Sequence, residues 1–306
     1  MIDREMRIGV MDMTVNWGTT DDVVAAVADA AALGAASFWA PNFFGLDCLT
    51  MLGIAGAQVS DIELGSAVVP IFGRHPRVLA QQALSVHAAT GGRLTLGIGL
   101  SHRSLVDGVI EPWPESPVDY LKRYLEQLVP LCAQSDEGGA SDPTRLSVVV
   151  DSPLPVVTAA LGPKTLAVAG ALSDGVVLWC VGPNTLAQVT IPVLSSAASL
   201  AQRPMARIVA GVPVCVTNDS ATVRTAIERR FRQFDALPSY RASLEREGIG
   251  SIGELAIVGE NQDVIDGIDR FRQAGITEFL WNDATATPYQ REATRTLLAD
   301  ILAAES

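Results

Sequence analysis

Gly162-Pro163-Lys164-Thr165 joins an apolar run, Val156 to Leu161, to an alanine-rich helical pattern. The positive end of the helix dipole disfavours a lysine in the first turn unless an anion sits beside it. Gly162 lets a ligand approach the backbone, and Pro163 presets φ at the first helical position without wasting an N–H. The N–H groups of Lys164 and Thr165 then point outward as an anion seat. A plain strand-to-helix turn with an exposed lysine fits the same four residues. A second stretch, Leu94 to Arg103, reads LTLGIGLSHR. Gly97 and Gly99 alternate along a strand, which they weaken unless something packs close against its backbone. Ser101 and His102 follow. Of the three histidines, His87 falls inside a helical pattern and His75 precedes Pro76 at a helix start. His102 alone stands at the C-terminal end of a strand, where a group titrating near neutrality suits acid–base work; a structural or surface histidine accounts for the position equally well. In a third stretch, from Ser66 to Pro76, Pro70 inside a β run implies a bulge or a strand end.

Short apolar runs alternate with amphipathic helical patterns along the whole chain. Strands are expected at 6–13, 37–40, 64–71, 94–100, 156–161, 176–180, 208–216 and 278–281. Helices are expected at 20–33, 49–59, 75–89, 118–132, 165–172, 185–200, 221–244, 263–272 and 292–304, and 256–259 reads as a short strand outside the barrel. The strands are continuous Val/Ile/Leu runs, as parallel strands covered on both faces should be. Eight of them alternating with helices fit an α/β fold, a (β/α)8 TIM barrel in one domain spanning 1–306. A doubly wound open sheet would require a glycine fingerprint after the first strand, and MRIGVMDMTVNW has none. Two insertions, 102–117 and 234–253, fall on the C-terminal face and read as loops, and 134–142 reads as a polar, glycine-rich break.

In such a barrel the chemistry lies where strands end. Those ends carry Asp12, Asn42, Ser66 to Pro70, Gly99 to His102, the Gly162–Thr165 turn, Trp179, Pro213, and Trp281 with Asn282. No His/Asp/Glu/Cys cluster there has ligand spacing, so no metal is expected. The rim is one of backbone groups and aromatic faces, suited to a large flat ligand.

The bulk composition narrows the classes further. With 306 residues, 48% of them hydrophobic, the chain can bury a large core, and 34 acidic against 22 basic residues argue against nucleic-acid or membrane-surface partners. The four cysteines are dispersed in apolar runs, which suggests buried thiols in a reducing cytoplasm. The N-terminus lacks signal-peptide organisation and no window reaches membrane-spanning length, so a soluble cytoplasmic protein is expected.

Taken together, GSAVVPIFGRHPRVLAQQALSVHAATGGRLTLGIGLSH, followed by GPKTLAVAGALSDG and DRFRQAGITEFL, resembles the luciferase-like monooxygenase superfamily, in its coenzyme F420-dependent oxidoreductase branch of actinobacterial type. The resemblance implies a barrel, usually dimeric, that holds a deazaflavin or flavin at the C-terminal ends of its strands. Ser66-Ala67 matches the site of a non-prolyl cis peptide that backs the cofactor ring, and Gly162–Thr165 matches the segment whose amides hold the cofactor phosphate. His102 matches a position that is acidic and catalytic in one sugar-phosphate dehydrogenase. Pro41-Asn42 replaces an Asp-His pair found in many relatives, which leaves His102 as the candidate proton carrier and Asn42 as a hydrogen-bonding group for the ring or a substrate carbonyl. Hydride transfer between C5 of coenzyme F420 and a small organic substrate is the expected activity. Asn42, Ser66, Ala67, Gly99, Ser101 and the Gly162–Thr165 turn would contact cofactor, and Trp39, Trp179 and Trp281 the substrate, with Trp17 and Trp113 helping to shape the pocket. An FMN-dependent monooxygenase and a cofactor-free binding protein are the alternatives. A homodimer is the expected assembly.

Overall fold

A computed structural model describes residues 6–133 and 146–304. The glycine-rich break expected at 134–142 lies outside the described residues. Ten strands form one parallel sheet: β1 (Arg7–Met11), β2 (Ser37–Ala40), β3 (Glu63–Ser66), β4 (Val69–Pro70), β5 (Leu94–Gly99), β6 (Val156–Thr158), β7 (Gly175–Trp179), β8 (Arg207–Val216), β9 (Ile257–Gly259) and β10 (Glu278–Asp283). β10 pairs with both β1 and β8, which closes the ring. β3 and β4 are two halves of one interrupted barrel strand, both paired to β5. β9 extends β8 outside the ring. The fold is therefore a (β/α)8 barrel. No helix among the described residues is long and apolar enough to cross a membrane.

The sequence periodicities account for most helices, and two boundaries moved for local reasons. The pattern across 221–244 is two helices, Ser220–Asp235 and Pro238–Glu247, because Leu237 precedes a proline and is extended at φ −75° and ψ 132°. The pattern across 185–200 is a short helix Pro183–Thr185, a π turn Leu186–Thr190 and a helix Ile191–Leu200. Pro192 cannot donate to the ladder, and the wider turn ends two residues before it. The second insertion, expected as a loop, is largely helical.

Side chains alternate along every strand, and this parity sorts inside from outside. The first residues of the strands build a polar floor. Arg7 grips Glu63 through two hydrogen bonds of 2.7 Å. Glu278 is 1% exposed and accepts from Arg7, Arg207, Ser37 and the Trp39 indole N–H. Bidentate bonding to Glu63 raises the Arg7 pKa. Burial alone would raise Glu63, yet Arg7 and Arg207 hold it below the usual carboxylate range. One level up, glycines leave room for a single large ring. A Cβ on Gly65 would overlap the Trp39 indole, and one on Gly9 would meet Ser37, Glu278 and Leu280. Trp39 fills that space with Arg207 stacked 5.5 Å from its ring centre.

Candidate active site at the barrel mouth

β5 explains the glycine alternation seen in its sequence. A Cβ on Gly97 would run into the carbonyl oxygen of Ser66, and one on Gly99 would lie 2.8 Å from Val68 and 3.0 Å from Ala159. What packs close is the chain itself. Ser66, fully buried, donates to Gly97 O and accepts from Gly97 N, both at 2.9 Å, where β3 breaks away. The Ser66 hydroxyl is thus spent on β5, and the space beside Gly99 is filled by Val68. The cis peptide lies between Ala67 and Val68, one bond later than the resemblance placed it. Ala67 and Val68, half-buried, surface the barrel interior above Trp39. Ser66→Ala strands both polar groups of Gly97 and is expected to lower stability by about 1–3 kcal/mol in urea unfolding; an unchanged midpoint would mean that the strands re-pair without the hydroxyl.

Parity also separates the tryptophans. Leu280 points into the barrel, so Trp281 points outward into the helix-facing core, 2% exposed. Trp39 faces inward but downward, bound to Ser37 at 2.8 Å on the floor. Both rings are buried, at 0% and 2% exposure. Trp113 is an anchor, its ring 5.2 Å from Phe72 and its backbone N–H donating to Asp107. Trp179, partly exposed at the end of β7, stays at the mouth and packs against Phe231 at 5.8 Å.

His102 follows Ser101, which adopts φ +58° at the strand-to-loop corner. Its imidazole lies edge-on to Phe234 at 5.7 Å and tilted against Tyr240 at 6.0 Å. Among the described residues no group hydrogen-bonds the ring. Burial lowers its pKa below the ordinary histidine value, so it is neutral at pH 7. His87 is a core residue bonded to Leu94 O and to Ser152, and His75 caps its helix by accepting from Arg77 N. Asn42 accepts from Cys48 N at 3.0 Å through its side-chain oxygen, leaving its amide N–H₂ held only by a long 3.5 Å contact to Phe43 O. Arg74 of the RHP turn braces the neighbouring loops, binding Asp47 at 2.8 Å and Gln82 at 2.9 Å.

Gly162 is the N-cap of the helix Pro163–Leu172 and Pro163 is its first residue, with no side chain capping the turn. Pro163 and Lys164 are exposed, and a Cβ on Gly162 would meet nothing nearer than Thr165 Oγ1 at 3.8 Å. The chain contains a second copy of this turn, Gly182-Pro183-Asn184-Thr185, after β7. There a carboxylate fills the seat: Glu247 accepts from Asn184 N at 3.1 Å and from Thr185 N at 2.6 Å. Gly182 is small because Glu247 occupies the place of a Cβ. So a G-P-x-T turn of this protein holds an oxyanion on its backbone, and among the described residues nothing fills the copy bearing Lys164. Glu247 also ends the helix Pro238–Glu247, whose Tyr240 walls His102, so the latch fixes the cage. Glu247, Phe234 and Tyr240 escaped sequence reading; the repeated G-P-x-T was the available signal for the first.

Among the described residues no three His, Cys, Asp or Glu side chains gather to hold a metal. Among the described residues the mouth is thus lined by backbone, aromatic faces, one neutral imidazole and one open helix N-terminus beside Lys164. Residues 6–278 match the luciferase-like monooxygenase family, and the chain belongs to it. The F420-dependent glucose-6-phosphate dehydrogenase of Beutenbergia cavernae is 30% identical over 169 residues, 52% of this chain and 50% of that protein. The chain thus aligns with about half the length of that relative. The 5,10-methylenetetrahydromethanopterin reductase of Methanopyrus kandleri is 23% identical over 277 residues, covering 74% of this chain and 78% of that one. In fold, an F420-dependent secondary alcohol dehydrogenase solved with an F420-acetone adduct superposes with a TM-score of 0.78 at 17% identity, over 96% of this chain and 98% of that one.

Proposed function

We propose that the protein is a coenzyme F420-dependent oxidoreductase acting on a small organic substrate. The carrying observation is the pair of G-P-x-T turns, one closed by Glu247 and the other open beside Lys164. The residues present fit a phosphate-bearing cofactor: Lys164 N and Thr165 N supply the donors, and the Lys164 ammonium supplies the charge. The F420-dependent relatives support a deazaflavin over a flavin. When bound, a deazaflavin accepts or donates a hydride at C5. The chain's part is placement and proton handling. Ala67 and Val68 offer a small apolar surface for one ring face, and Asn42 has an amide N–H₂ free to donate to a ring or substrate carbonyl. His102, neutral and half-buried beside Phe234 and Tyr240, takes or returns the substrate proton.

The test is a fluorescence titration with F420 beside FMN. Saturable binding of F420 in preference to FMN is expected. Lys164→Ala should weaken it about tenfold and reduce its salt sensitivity. Gly162→Ala separates fold from site: φ is −91° and the space is open, so stability should hold while the added methyl crowds the phosphate and lowers affinity. Preference for FMN would move the protein to flavin chemistry, and binding of neither would leave a cofactor-free protein and a plain turn.

A further inference from the structure

Arg230 has no part in the site as built so far. It lies exposed on the helix Ser220–Asp235, its guanidinium carbon 5.7 Å from the Trp17 ring centre and 5.4 Å from that of Phe231. Trp17 caps the short turn after β1 and is 68% exposed, whereas Phe231 is buried against Trp179. The guanidinium therefore spans from the first loop to the aromatic wall of the mouth. Ring faces engage the flat face of a guanidinium and leave its N–H donors available in the plane. Among the described residues no carboxylate or carbonyl takes those donors. Arg7, Arg74, Arg103, Arg203 and Arg207, by contrast, each hold a carboxylate. A guanidinium set against two rings, beside an exposed indole and with its donors untaken, is a fork for a carboxylate or phosphate.

We propose that Arg230 sets the charge specificity of this site by binding an oxyanion on a ligand whose apolar body enters the mouth over Trp179. The proposal rests on the mouth being the ligand site, as in the function proposed above. The oxyanion has two sources: an organic acid substrate, or the carboxylates of the glutamyl tail of F420.

The experiment uses the full chain, wild type and Arg230→Met, which keeps length and ring packing without donors; the exposed position should leave the urea midpoint unchanged. Each protein is first titrated with F420 and with the derivative lacking the glutamyl tail. The F420-loaded proteins are then titrated with benzoate and with neutral benzamide. If the tail supplies the oxyanion, Arg230→Met weakens F420 about tenfold and leaves the tail-less form unaffected. If the substrate supplies it, wild type prefers benzoate to benzamide about tenfold and Arg230→Met abolishes the preference. Either result supports the proposal. A variant indistinguishable from wild type in both titrations overturns it. Should wild type bind no F420, the benzoate arm is run on the protein alone: a preference that depends on Arg230 keeps the proposal while the cofactor reading falls, and none overturns both.

Discussion

Replacing Glu278 by alanine is expected to destabilise the protein by about 3–5 kcal/mol, the cost of breaking a buried ion pair from one side. Glu278 is 1% exposed and is shared by Arg7, Arg207, Ser37 and Trp39. Its loss leaves two guanidinium groups crowded on the floor with Glu63 as their remaining carboxylate, and leaves the Trp39 indole with Ser37 alone. Glu278→Gln keeps size and hydrogen bonding while removing the charge, so it should fall between wild type and Glu278→Ala. Urea unfolding measures both. A loss below about 1 kcal/mol in Glu278→Ala would mean that water reaches the floor and solvates the arginines.

The second large effect is on turnover. His102→Ala is expected to reduce it by about a hundredfold, the lower end of what a positioned acid–base group contributes, with little change in cofactor affinity. The pH profile carries the sign. Burial lowers the His102 pKa, so the neutral imidazole persists to lower pH than in a free histidine. If that neutral form accepts the substrate proton, activity rises with pH through a midpoint below about 6.5, and the limb vanishes in His102→Ala. The linked stability term has the same direction: below about 6.5 the unfolded chain binds a proton that the folded one resists, so stability falls with pH until the depressed pKa is passed. With three histidines in the chain, an NMR titration can follow His102 individually. Unaltered turnover in His102→Ala would remove it from the mechanism.

The linear order of residues determined the barrel and the address of its mouth. Unbroken apolar runs alternating with amphipathic helices are a local property, and so is the turn chemistry of Gly162–Thr165: both are written within a few residues and survive without any long-range contact. The same holds for His102, which had to fall at a strand end because Leu94–Gly99 ends beside it.

Tertiary structure alone decided what each side chain does there. Trp39 and Trp281 both sit on strands and both are apolar rings. One step of pleat parity sends Trp281 outward, and the missing Cβ of Gly65 lets Trp39 lie down over the floor. The broken strand turns the Ser66 hydroxyl onto Gly97, 31 positions away. Glu247 reaches back over more than 60 positions to Thr185 and, in closing one anion seat, marks the other as open. These contacts join segments far apart in the chain, and no local pattern specifies them, because a side chain's role depends on which strand faces it after the ring has closed.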